Sequence, residues 1–131
     1  MRPLVLVIDS DSDTSALLGD RLAAFGFDVI ETHKPGHALL LIKNWAHTRR
    51  SFDGILLTLE PPFPDGMDVL QELVELHPEI PVIIFCAWPD ADLLVEARKK
   101  GARDIIIKPF NLDLLELKCI EHFVVPPYDE S

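Results

Sequence analysis

Five short apolar runs, separated by polar and turn-rich stretches, set the tightest limit on what this chain can fold into. They are Leu4 to Ile8, Phe27 to Ile30, Ile55 to Leu57, Pro81 to Phe85 and Asp104 to Ile107. Runs of this length bounded by turn residues read as strands of a parallel sheet buried on both faces. Helical spacing fills the gaps between them. Ser10 or Ser12 is placed to cap a first helix carrying Leu17, Leu18, Leu22 and Phe25, which Gly26 ends. Pro35 suits the first turn of a second helix, with Ala38, Leu39, Ile42 and Trp45. Gly66 to Leu76 gives a third through Met67, Leu70, Leu73 and Val74, and His77-Pro78 breaks it. The fourth runs from Ala91 to Lys100 and stops at Gly101. Asn111 or Asp113 opens the last, which reaches about Val124.

Strict strand–helix alternation predicts an α/β domain, a five-stranded parallel sheet with helices on both faces. Short right-handed crossovers leave few topologies, and the flavodoxin-like order 2-1-3-4-5 is the expected one. Residues 1–125 form this single domain, and Pro126 to Ser131 reads as a tail or the start of a linker. Ligand chemistry in such sheets gathers beyond the carboxyl ends of the strands. That edge brings together Asp9, Thr58 and Lys108. The stretch Asp53 to Gly66 holds the central one: an apolar strand stops at Thr58 and falls into a proline-rich loop closed by Asp65-Gly66.

The formal net charge of −10 and a pI near 4.7 repel phosphate backbones and anionic lipid, so no direct nucleic-acid or membrane contact is expected. No apolar run reaches the roughly 18 residues a membrane span requires. The segment from Met1 to Ile8 is too short for a secretory signal. Cys86 and Cys119 lack metal spacing and read as buried thiols of a reducing cytoplasm. His33, His37, His47, His77 and His122 show no metal spacing either and read as surface or cap residues.

In this order the motifs resemble the receiver domain of two-component response regulators, from Leu4 to about Phe123. The carriers are the acidic residues after the first strand, P-x-x-D-G from Pro62 to Gly66, Cys86-Ala87, G-A-R-D from Gly101 to Asp104, and K-P-F from Lys108 to Phe110. The resemblance implies phosphoryl transfer from a histidine kinase onto an aspartate at the end of the third strand. Counting back four residues from Pro62 or seven from Asp65 reaches Thr58 both times. The resemblance also implies two acids after the first strand, where this chain has Asp9 and Ser10, the second being a metal ligand in the family. The hydroxyl residue of the fourth strand becomes Cys86, and the aromatic of the fifth becomes Ile105.

An acyl phosphate needs a carboxylate nucleophile; a threonine hydroxyl would give a stable ester instead. The family pocket pairs three carboxylates with one lysine, a deficit that Mg²⁺ fills. Here Asp9, Ser10, Thr58 and Lys108 sum to zero, so weak or absent Mg²⁺ binding and no cofactor are expected, with Asp9 and Lys108 paired. Asp11 and Glu60 lie near enough to restore some acidity. Cys86 is a poor hydrogen-bond donor and Ile105 has no ring to swing, so the switch is expected to be lost as well.

The expected role is therefore a non-enzymatic pseudo-receiver: a protein-binding or dimerisation module of phosphorelay signalling, serving an output domain such as a transcription regulator. Its face would be the fourth helix, fifth strand and fifth helix, with Asp92, Glu96, Lys99, Lys100, Ile105 and Glu116 as contacts and Trp88 as a loop candidate. The competing class is an enzyme reusing the pocket, phosphatase-like or transferring phosphoryl groups on Asp9 or Asp11. A calcium loop is disfavoured because Thr14 stands at its glycine position and Asp20 at its closing glutamate. A D-x-D phosphatase is disfavoured because Asp13 stands where Thr or Val is needed.

Overall fold

The computed structural model describes residues 2–45, 51–59, 64–86, 91–107 and 111–124, with Pro35, Trp45, Pro64 and Asp65 described through their backbone alone. Along these residues run β1 (Leu4–Ile8), α1 (Ser12–Ala24), β2 (Asp28–Thr32), α2 (Pro35–Trp45), β3 (Gly54–Leu59), α3 (Pro64–Leu76), β4 (Val82–Cys86), α4 (Ala91–Lys99), β5 (Asp104–Ile107) and α5 (Leu112–Phe123). The strands pair in parallel in the order β2-β1-β3-β4-β5, which is the expected flavodoxin-like topology.

Period-two alternation along each strand divides the core into two layers. Leu4, Leu6 and Ile8 of β1, Ile55, Leu57 and Leu59 of β3, and Val82, Ile84 and Cys86 of β4 join Ala38, Ile42, Leu70, Leu73, Leu93 and Ala97 from α2, α3 and α4. Val5, Val7, Leu56, Ile83, Phe85 and Ile106 join Leu18, Leu22, Leu115, Cys119 and Phe123 from α1 and α5. Three helices thus cover one face and two the other. This is why β1, β3 and β4 read as unbroken apolar runs: each presents its alternate residues to a different helical layer. Among the described residues no helix is long and apolar enough to cross a membrane.

Several boundaries differ from the expected ones, each for a local reason. Asp11, not Ser10 or Ser12, caps α1: one carboxylate oxygen accepts from Asp13 N (3.0 Å) and the other from the Thr14 hydroxyl (2.9 Å). Leu17 is 51% exposed, and the packed face of α1 is Ser15, Leu18, Gly19 and Leu22. β2 begins after Phe27 and runs on to Thr32, because its pairing with β1 continues to Ile8–Thr32. β4 begins at Val82 and extends to Cys86; the Pro81 carbonyl still accepts from Ile55 N at 3.0 Å. α3 starts at Pro64, so Asp65-Gly66 belongs to its first turn rather than closing a loop, with proline at the helical position that needs no N–H. α4 ends at Lys99, one residue early. Gly26 and Gly101 follow α1 and α4 with φ of +104° and +110°, the left-handed geometry that stops a helix. Asn111 is the cap of α5, accepting from Asp113 N and Leu114 N.

Candidate functional site

Thr58 lies inside β3, not just past its end: it pairs with Phe85, and Leu59 beyond it pairs with Cys86. Strand alternation turns its side chain to the same sheet face as Leu56. Asp9 follows β1 directly and is held there by its N–H, which donates to Thr32 O at 3.1 Å. The two side chains meet. The Thr58 hydroxyl donates to Asp9 Oδ2 at 2.8 Å, and Asp9 Oδ1 accepts from Asp11 N at 2.8 Å. Asp9 is 2% exposed, a depth at which a carboxylate requires hydrogen bonds to both oxygens. His33 Nδ1 lies 3.1 Å from the Asp9 carbonyl, tying the β2–α2 turn to the same corner.

Asp11 is exposed, and both of its carboxylate oxygens serve the α1 cap. Ser10 is exposed. Cys86 is fully buried in the core layer under α2, α3 and α4. Ile105 is half-buried against that same layer. Two residues on, Ile107 is the exposed apolar residue of β5. Lys108, Glu60 and Trp88 lie outside the described residues, and with them the expected Asp9–Lys108 pair. Of the other surface candidates, Asp92, Glu96 and Lys99 are exposed, whereas Lys100 and Glu116 are half-buried. Lys100 Nζ donates to Gln71 Oε1 at 2.7 Å, joining α4 to α3.

Two features went unseen in the sequence. The first is apolar surface around α4, β5 and α5: Val95, Ile107, Leu114, Leu117 and Ile120 are each between 39% and 60% exposed. The spacing of 114, 117 and 120 could have revealed it, since those residues fall opposite the buried Leu115, Cys119 and Phe123. The second is a polar cluster. Asp104 Oδ2 lies 2.8 Å from Lys118 Nζ and 3.0 Å from His122 Nε2, so His122 is a tertiary partner rather than a surface or cap residue. Burial pushes the Asp104 carboxyl up, but the hydrogen bonds from Lys118, His122 and Ile105 N, with the Lys118 charge, outweigh it and hold it below the ordinary range. The hydrogen bond to Asp104, with its charge, raises Lys118.

Chemically, the described part of the sheet edge offers Asp9 and Thr58, already bonded to each other, with Asp11 turned to the α1 cap and Ser10 exposed. A hard divalent cation needs several free oxygen donors. Residues 5–119 match the response regulator receiver domain family. The transcriptional regulatory protein ZraR of Klebsiella oxytoca is 32% identical over 97% of the chain and 28% of its own length. The DNA-binding transcriptional regulator NtrC of Salmonella typhimurium is 33% identical, covering 93% and 26%. The two-component response regulator ORR21 of Oryza sativa is 33% identical, covering 97% and 18%. The chain thus spans about a quarter or less of these relatives. Among solved structures, the receiver domain of the Francisella response regulator 1452 superposes with a TM-score of 0.80 at 27% identity, covering 93% of this chain and 97% of that one. A response regulator from Thermotoga maritima gives 0.82 at 25%, covering 95% and 100%.

Proposed function

The chain belongs to the response regulator receiver family, and within it we propose a pseudo-receiver, a signalling module that works without phosphorylation and without enzymatic activity. The observation that carries this reading is the hydrogen bond of 2.8 Å from Thr58 to Asp9. Where family members present a free aspartate to the phosphoryl donor, an alcohol spends its proton on the neighbouring carboxylate. Attack by that alcohol would form a stable phosphoester rather than the labile anhydride that drives a switch. Among the described residues no other acid at this corner stands ready. Asp9 is engaged at both oxygens, and Asp11 is committed to the α1 cap. This weighs against the alternative, an enzyme reusing the pocket through Asp9 or Asp11.

The described donors suit Mg²⁺ poorly: Asp9, with each oxygen already accepting a hydrogen bond, supplies little of the anionic charge and oxygen count that the ion wants. Output would instead come from binding. The face of α4, β5 and α5 carries apolar Val95, Ile107, Leu117 and Ile120 among Asp92, Glu96 and Lys99, a mixture suited to a protein partner or a second copy. Since the similar ZraR and NtrC are regulators of transcription, the module would serve such an output domain, with a chain of net charge −10 itself avoiding DNA. The working compartment is then the cytoplasm, where phosphorelay proteins meet.

Titration with Mg²⁺ and beryllofluoride, followed by amide NMR, tests the reading. No saturable shift at Asp9 or Thr58 below roughly 100 µM metal is expected, and a stoichiometric complex centred on either residue would overturn it.

A further inference from the structure

Where the first residue of β5 meets the last turns of α5, Asp104, Glu121 and His122 bring three ligand atoms within 4.8 Å of one another. His122 Nε2 lies 3.0 Å from Asp104 Oδ2 and 3.4 Å from Glu121 Oε2. Ligand bonds of roughly 2.0–2.2 Å at tetrahedral angles separate donor atoms by about 3.3–3.6 Å, so these spacings need only small adjustments. The same two carboxylates already hold a cation. The Lys118 ammonium sits 2.8 Å from Asp104 Oδ2 and 3.9 Å from Glu121 Oε2, between the two carboxylates. The mounting is firm as well. Asp104 Oδ1 accepts from Ile105 N at 2.9 Å, and the α5 end is anchored by Phe123, packed edge-on against Phe27.

We propose that Asp104, Glu121 and His122 form a binding site for a divalent transition-metal ion of the Zn²⁺ class, with Lys118 as its internal competitor. An imidazole beside two carboxylates suits that class, whereas Mg²⁺ and Ca²⁺ prefer all-oxygen shells. Binding displaces the Lys118 ammonium into solvent, leaving two carboxylates to balance the ion. It also requires the lone pair of His122 Nε2, so the hydrogen bond between that nitrogen and Asp104 is given up. Arg98 on α4 lies close enough to add positive field and opposes the ion. The bound metal would clamp the start of β5 to the end of α5 beside the face proposed for partners, but the site stands or falls by itself.

Calorimetric titration of the 131-residue chain with Zn²⁺, paralleled by Co²⁺ absorption, decides it. One equivalent binds, Mg²⁺ does not compete, and Lys118→Met tightens the affinity about tenfold or more. His122→Gln, which keeps an N–H for Asp104, weakens it by a similar factor without altering the circular dichroism. His77→Ala, which removes the other histidine–carboxylate pair, leaves it unchanged. The proposal is overturned if no Zn²⁺ binds, if binding ignores His122→Gln, if it follows His77, or if Lys118→Met fails to strengthen it.

Discussion

At the sheet edge the Thr58 hydroxyl donates a hydrogen bond to the buried Asp9 carboxylate. Asp9 is 2% exposed, so losing the donor at Oδ2 leaves half a buried carboxylate unsatisfied. Thr58→Val, nearly isosteric, should therefore cost about 1–3 kcal/mol in urea unfolding, while Thr58→Ser, which keeps the donor, costs less. Equal losses for the two would mean that packing, not the hydrogen bond, matters at this position. The thiols behave differently. Burial pushes Cys119 up to about 12, so at neutral pH it holds no thiolate to react. Cys86 lies in the core with no exposed surface. Neither should be modified by a thiol reagent until the protein unfolds.

The end of α5 is pinned from below by the start of β3. A Cβ on Gly54 would run into the ring of Phe123, a rigid group already packed on Phe27. Gly54→Ala should destabilise by about 1–3 kcal/mol through overpacking, and pairing it with Phe123→Leu should recover part of that loss. One turn earlier, α5 is tied to β5 through Asp104. Its folded carboxyl lies below the ordinary range, so its contribution is present at neutral pH and lost as the pH falls towards the folded value. Lys118 is raised, so its share persists up to its ordinary range and is lost only as the solution becomes strongly alkaline. Asp104→Asn should lower the urea midpoint at neutral pH and flatten the acid side of its pH profile; an unchanged profile would assign the acid loss to other groups. These elements were legible in outline, since the apolar runs located all five strands, β1 and β5 to the residue. Their ends were less so, because β2 is extended by pairing with β1 and α1 is capped by whichever side chain satisfies most donors. The Asp104–Lys118–His122 cluster was hidden because its partners stand 14 and 18 residues apart in sequence and meet only when a helix folds back over its strand.

For the molecule as a whole, the alternation of runs determined the strand order, and the order brought Asp9 and Thr58, 49 residues apart, into contact. The meeting was foreseeable because adjacent β1 and β3 end at one edge; that Thr58 would donate to Asp9 required side-chain geometry. Ile105 could not be placed from sequence, since strand alternation alone does not say which of two exposed-looking residues ends in the helical layer. The surface of α4, β5 and α5 belongs to this level too: Val95→Asp together with Leu117→Asp should abolish any self-association or partner capture by that face while leaving the fold intact, checked by sedimentation and circular dichroism. The proposed function supposes an edge without an acceptor aspartate on an intact receiver scaffold. The direct measurement is phosphoryl incorporation from acetyl phosphate with Mg²⁺, read by mass spectrometry before and after acid treatment. The native chain should take up none, and the double variant Ser10→Asp, Thr58→Asp should gain an acid-labile adduct at position 58. A stoichiometric acid-labile adduct on the native chain, at Asp9, Asp11 or elsewhere, would contradict it.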